Sequence, residues 1–247
     1  MNYNINNKVV LVTGANRGIG KVILETFLDQ GAAKVYAAVR NVASIDPLVE
    51  KYGAKVVPLF IDLAIPSSII AAAETAQDVD MVINNAGTFQ GGELFATDIL
   101  ESLALQIEIN VYGLINLAKA FAPIFKVNSD GIFVQLNSVV SMKAFANFSA
   151  YSASKAASYS ITQSLRTILG EQGTRVISVH PGPIATDMGD AAGLTEIAEP
   201  PTIVANAIIE ALKSDNFHVF PGSMAKQIGG AYQSFAQNIV EANISEG

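Results

Sequence analysis

The chain has no cysteine. That excludes disulfides, thiolate nucleophiles, iron–sulfur clusters and cysteine-based zinc sites. Histidine is scarce as well, with only His180 and His218. A multi-histidine metal site is excluded with them, and a histidine-based triad has few candidates. Basic residues are in the minority: 15 Lys and Arg stand against 22 Asp and Glu, for a net charge of −7. Nucleic acid is therefore not the expected partner, because phosphate backbones are bound through basic surfaces. A local basic pocket for one small phosphate stays open. Long apolar runs are also missing. The longest are five residues, Val35–Val39 and Ile69–Ala73, against roughly 20 for a membrane-spanning helix. The first residues carry no apolar stretch, so no secretory signal is expected and the protein reads as cytoplasmic.

What is present is an ordinary globular composition, 247 residues with 50% hydrophobic and 15% charged. Short β-rich runs alternate with helical ones. Strands are expected over Lys8–Thr13, Lys34–Val39, Lys55–Ile61, Asp80–Asn84, Ile132–Ser138, Arg175–His180 and Phe217–Phe220. Helices are expected over Gly18–Gln30, Pro47–Tyr52, Pro66–Gln77, Thr97–Phe125, Tyr151–Glu171 and Pro201–Lys213. This rhythm predicts an α/β fold, a doubly wound parallel sheet of about seven strands with helices on both faces. The strands are near-continuous Val/Ile/Leu runs, as a sheet covered on both faces requires. No linker divides the chain, so 1–247 reads as a single domain. Ligands are expected at the carboxyl ends of the strands, near the switch in strand order.

The first strand runs into Thr13-Gly14-Ala15-Asn16-Arg17-Gly18-Ile19-Gly20, and a helix follows. Glycines let the backbone turn tightly and approach a pyrophosphate, while the helix N-terminus offers free N–H groups and partial positive charge. Twenty residues on, where an acid would hold a ribose 2′-hydroxyl, stands Arg40. A guanidinium there pairs with a 2′-phosphate instead. Arg17, at the helix N-terminus, adds a second cation. Either alone reads as a surface arginine; together they favour NADP(H).

Tyr151 and Lys155 open a long helix at positions i and i+4, so they share a face. Moving a phenol from pKa about 10 to about 7 takes roughly 4 kcal/mol. A unit charge about 4 Å away at an effective dielectric of about 20 supplies a similar amount. Lys155 is thus expected to make Tyr151 a working acid/base. Ser138, at the end of the fifth strand, carries a hydroxyl able to polarise a carbonyl oxygen. His180 and His218 read as structural strand-end residues.

Taken in order, these motifs resemble the short-chain dehydrogenase/reductase family over nearly the whole chain. Asn84-Asn85-Ala86-Gly87 resembles its N-N-A-G segment, and His180-Pro181-Gly182-Pro183-Ile184-Ala185-Thr186 its P-G segment. The resemblance implies a Rossmann fold and a catalytic set of Asn110, Ser138, Tyr151 and Lys155. It implies cofactor contacts from Gly14, Asn16, Arg17, Gly18, Ile19, Gly20, Arg40, Asp62, Leu63, Asn85, Ala86, Gly87, Tyr151, Lys155, Pro181, Gly182, Ile184 and Thr186. It further implies reversible, NADPH-dependent reduction of a ketone or aldehyde. Tyr151 would supply the proton, Ser138 polarise the carbonyl, Lys155 bind the nicotinamide ribose, and Asn110 help hold a relay water. A homodimer or homotetramer is implied as well.

Three loops are expected to line the pocket: 88–97, 141–150 and the lid 187–200. They bring Phe89, Phe95, Met142, Phe145, Phe148, Met188, Leu194 and Ile197, which suits a substrate with a hydrophobic body. The tail, 223–247, departs from the family's usual Gly-rich ending and is expected to be partly helical. Two rival readings stay open: an NAD-retaining sugar-nucleotide epimerase, and a non-catalytic NADPH sensor on the same scaffold.

Overall fold

Along β1 (Val9–Thr13), Val10 and Val12 point to one apolar layer and Leu11 to the other, and both layers are dry. This period-two alternation, with both sides apolar, is what a parallel strand between two helix layers needs. The computed structural model describes residues 3–242. After β1 come α1 (Gly18–Asp29), β2 (Lys34–Val39), α2 (Asp46–Tyr52), β3 (Val56–Phe60), α3 (Pro66–Thr75) and β4 (Met81–Asn84). The second half holds α4 (Ile99–Ile107), α5 (Gly113–Asn128), β5 (Ile132–Leu136), α6 (Ser149–Gly170), β6 (Arg175–Val179), α7 (Asp187–Ala191), α8 (Thr202–Leu212), β7 (His218–Val219) and α9 (Ser223–Phe235).

Among the described residues the strands form one seven-stranded sheet, ordered β3-β2-β1-β4-β5-β6-β7, with every pairing parallel. The order reverses between β1 and β4, which is where such folds open a ligand crevice. Ile23, Leu24 and Phe27 of α1 and Val204 and Ile208 of α8 fill one layer. Ile69 of α3, Leu114 and Phe121 of α5 and Tyr159 of α6 fill the other.

Two elements differ from the expectation. The single helix expected over Thr97–Phe125 is α4 and α5 joined by a π-helical segment, Glu108–Tyr112. Such bulges are common at functional positions. The last strand is only His218–Val219, and the tail beyond it folds as α9 and a second π-helical segment, Ala236–Val240. Positions 243–247 of the expected tail lie outside the described residues.

Candidate active site

The glycine-rich turn lies at the switch point. Gly14 and Gly18 have φ of +66° and +53°, a region that side chains other than glycine enter at a cost. Gly20 has ordinary φ but no room: a Cβ there would run into the Gly14 carbonyl oxygen and lie 2.5 Å from Asn85 Nδ2. Thr13 ties this turn to the next strand. Its hydroxyl donates to Asn84 Oδ1 at 3.1 Å and accepts from the backbone N–H groups of Asn85 and Ala86 at 3.0 and 2.9 Å. Asn85 Nδ2 returns a bond to Thr13 O at 2.9 Å. The N-cap of α1, Arg17, makes no side-chain cap bond, so the first N–H groups of that helix are free for an anion. A glycine cradle closed to a Cβ at Gly20, beside an uncapped helix N-terminus, fits a dinucleotide.

The other expected cofactor residues surround this cradle. Asp62 closes a tight turn through Ala64 N, 3.0 Å from its Oδ1. Leu63 is buried against Gly113, where a Cβ would lie 2.7 Å from Leu63 Cβ. Gly87 faces Asn110, with Oδ1 2.9 Å from where its Cβ would be. Pro181 O accepts from Val139 N at 3.0 Å, Gly182 abuts Met224, Ile184 is buried, and the Thr186 methyl lies 3.2 Å from the Cβ position of Gly18. Asn16 lies within the turn and Ile19 in the first turn of α1. Arg40 is exposed, with no hydrogen bond or ion pair among the described residues. Arg17 is not free: its Nη1 pairs with Asp187 Oδ2 at 2.6 Å.

The four expected catalytic residues converge. Ser138 leaves β5 in an extended conformation and caps a short 3-10 turn, Val139–Ser141. Tyr151 sits in the first turn of α6, and Lys155 one turn on, its Nζ 5.8 Å from the Tyr151 ring centre. Lys155 is buried and donates to Leu136 O at 2.9 Å. Asn110 lies in the π-helical segment. Its Nδ2 donates to Thr88 O and to Ser154 Oγ, each at 3.0 Å, and its Oδ1 accepts from Thr88 N at 2.9 Å. Both amide hydrogens are thereby spent, and Oδ1 keeps one lone pair.

The electrostatics correct one expectation. Burial pushes the Tyr151 phenol up to about 12, opposed only by its hydrogen bond with Ser138. Burial likewise brings Lys155 down to about 8. Desolvation is the largest influence on the phenol, and it acts against ionisation. The expectation counted the neighbouring charge and omitted the burial.

Several contacts escaped the sequence. Phe89 meets the Tyr151 ring edge-on at 5.1 Å and Phe148 at 5.4 Å. The loops carrying them are zipped by Gly92 N to Asn147 O, 2.8 Å, and Ser149 N to Gly92 O, 3.2 Å. Met142 packs against the core, while Phe95, Met188 and Ile197 are exposed. Ser154 had a readable signal, since it follows Tyr151 by three residues and so shares its face. The Arg17–Asp187 pair had none. Among the described residues no group of three or more His, Asp or Glu side chains suits a metal ion. No helix there is long and apolar enough to cross a membrane.

A doubly wound sheet with a glycine cradle at its switch point, and a Ser–Tyr–Lys–Asn cluster beside it, defines a nucleotide-binding class of scaffold. Residues 8–196 match the short chain dehydrogenase family. The chain is 30% identical over 221 residues to oxidoreductase UcpA of Escherichia coli (strain K12), covering 84% of this chain and 81% of that protein. Its structure is similar to a short chain dehydrogenase from Burkholderia cenocepacia J2315 in complex with NADP. That likeness has a TM-score of 0.87 and 34% identity, and covers 95% of this chain and 96% of that one. It is also similar to a 7α-hydroxysteroid dehydrogenase complexed with NADH and 7-oxo glycochenodeoxycholic acid. Here the TM-score is 0.79 and the identity 26%, over 86% of this chain and 89% of that one. The chain belongs to the short-chain dehydrogenase/reductase family and is an oxidoreductase of that family.

Proposed function

We propose that this oxidoreductase uses NADPH to reduce a ketone or aldehyde, reversibly, with Tyr151 as the acid/base. The observation that carries this reading is the convergence of Ser138, Tyr151, Lys155 and Asn110 beside the glycine cradle. When bound, the cofactor supplies hydride to the carbonyl carbon. The Tyr151 hydroxyl donates its proton to the carbonyl oxygen, and a phenol held neutral by burial arrives with that proton in place. The Ser138 hydroxyl donates a second hydrogen bond to the same oxygen and draws charge onto it. Buried Lys155 holds the ribose and supplies positive charge beside the phenolate left after transfer. Asn110 braces this cluster by tying Thr88 to Ser154, and its remaining lone pair is open to the relay water.

Arg40 supports NADP(H) more strongly than Arg17. It stands at the end of β2 with its charge uncompensated, whereas Asp187 already partners Arg17. The Phe89–Phe148–Tyr151 cluster supports a substrate with an apolar body beside its carbonyl. The segment 187–200 is the lid of this pocket. Assembly is a homodimer or homotetramer. Leu100, Leu105, Tyr112, Val127 and Ile168 are exposed apolar residues along α4, the π-helical segment, α5 and α6, and a purely monomeric sedimentation profile at micromolar concentration would refute it.

The test is oxidation of NADPH and of NADH across neutral ketones and aldehydes by the wild type and by Arg40→Ala. The expected result is turnover preferring NADPH, with a loss of about tenfold or more in kcat/KM for NADPH only in the variant, the scale of one charged hydrogen bond. Cofactor binding without any carbonyl turnover would favour a sensor on this scaffold.

A further inference from the structure

The only two histidines of the chain lie side by side, ring centres 5.7 Å apart, behind Ser138. His180 is fully buried. Its Nδ1 lies 3.3 Å from the Ser138 carbonyl oxygen and 3.0 Å from Ser141 Oγ. Its Nε2 lies 2.7 Å from Ser178 Oγ. A carbonyl only accepts, so Nδ1 carries the hydrogen. Ser141 Oγ spends its own hydrogen on Ser138 O, 2.5 Å away. Ser178 Oγ accepts from Asn137 Nδ2 at 2.9 Å and donates to Nε2. Every polar atom of the ring is satisfied in the neutral Nδ1–H tautomer. The ring thus grips both ends of the turn that presents Ser138.

The other side of His180 is packed by groups that the tail holds. Tyr159 stands edge-on to the ring at 4.8 Å, and Phe220 stacks on it at 5.3 Å. The Tyr159 hydroxyl bonds to His218 Nε2 at 2.7 Å and to Tyr232 of α9 at 3.1 Å. His218 Nδ1 donates to Glu241 Oε1 at 2.7 Å. Phe220 is pressed by α9 so closely that a Cβ on Gly229 would overlap its ring. The start of α9 is itself fixed, because Ser223 N and Oγ donate to Glu199 at 2.8 and 3.1 Å. Arg166 of α6 reaches Val240 O at 3.5 Å.

We infer that the tail, Ser223–Glu241, is a clamp on the serine turn, and that His180 is the positioning residue through which it acts. Two routes run from the tail to one ring: Glu241–His218–Tyr159, and Gly229–Phe220. With both in place His180 cannot tilt, so the Ser138 turn keeps one arrangement. Rate depends steeply on such placement, since a group held about 1 Å out of position can lose on the order of a hundredfold. That part of the inference rests on the carbonyl-reductase reading; the clamp itself does not.

The experiment uses the full chain, labelled with nitrogen-15 in histidine, as wild type, Glu241→Ala and Glu241→Gln. With two histidines, two imidazoles give all the ring signals. The expected wild-type result is a neutral Nδ1–H tautomer for His180 from about pH 5 to about pH 8, the range where an unperturbed histidine titrates. Glu241→Ala is expected to shift the ring signals of His180, which Glu241 does not touch. Glu241→Gln should restore them, because its amide oxygen still accepts. In turnover, Glu241→Ala should lose about tenfold in kcat, a part of the placement effect, with NADPH binding stoichiometry and dissociation constant unchanged and the Gln variant rescued. His180 signals that stay put overturn the clamp. Shifted His180 signals with wild-type kcat in Glu241→Ala, or with a loss that follows NADPH binding, would overturn the clamp's effect on turnover. Shifted rings in a protein that reduces no carbonyl would support the clamp and refute the reductase reading.

Discussion

Two regions along the sheet's carboxyl edge are built differently. The glycine-turn region, at the central switch point between β1 and β4, rests on backbone: glycines at positive φ, a glycine with no room for a Cβ, and one threonine tied to the next strand. The histidine end, around β6 and β7, rests on side chains brought from α6, α9 and the tail. Backbone constraints are tied to residue type and recur as short motifs. Side-chain clusters depend on the finished fold and leave no local trace. The first kind fixes what can bind; the second tunes how well the site is held.

The largest effect that would sharpen this contrast lies in the glycine-turn region. Gly20→Ala forces a methyl group onto the Gly14 carbonyl and the Asn85 amide. The expected outcome is a destabilisation of about 1–3 kcal/mol, the scale for overpacking, together with loss of measurable NADPH binding. Urea unfolding and a fluorescence titration with NADPH check it, and unchanged binding would mean the turn does not form the cradle. A smaller effect belongs to the histidine end. Burial, helped by the neighbouring His218, brings His180 to about 3 from an unfolded value of 6.5. Its depressed folded pKa leaves stability intact above about 6.5, and stability falls as pH drops below that, by up to about 1.4 kcal/mol per pH unit for one proton. Urea midpoints between about pH 7 and pH 5 should therefore slope more steeply in the wild type than in His180→Gln. Parallel slopes would show that the ring is not held neutral.

The same contrast explains what could be read from the sequence. The seven strands and their helices follow the apolar runs, with ends off by one to a few residues, as at Ser138, which lies beyond β5 rather than within it. The glycine turn and the Tyr151–Lys155 pair were legible because each sits within one turn of chain. The π-helical segment around Asn110 was not, because it lies between two α-helices with no break in helical structure to mark it. Neither was the Arg17–Asp187 pair, whose partners stand 170 residues apart. The height of the Tyr151 pKa was missed for a different reason: a sequence names the neighbouring charge but does not give the depth of burial. The joining of His180 and His218 through Tyr159 needed the fold itself.

The central claim is that Tyr151 passes a proton to the substrate oxygen. It is tested most directly by comparing kcat for a reducible ketone, and the NADPH dissociation constant, in the wild type and Tyr151→Phe. Tyr151 packs edge-on against Phe89, and a phenylalanine in its place keeps that contact. The account predicts unchanged cofactor affinity and a loss of about a hundredfold or more in kcat, the scale of a missing acid/base. A variant that reduces the ketone at the wild-type rate would contradict it.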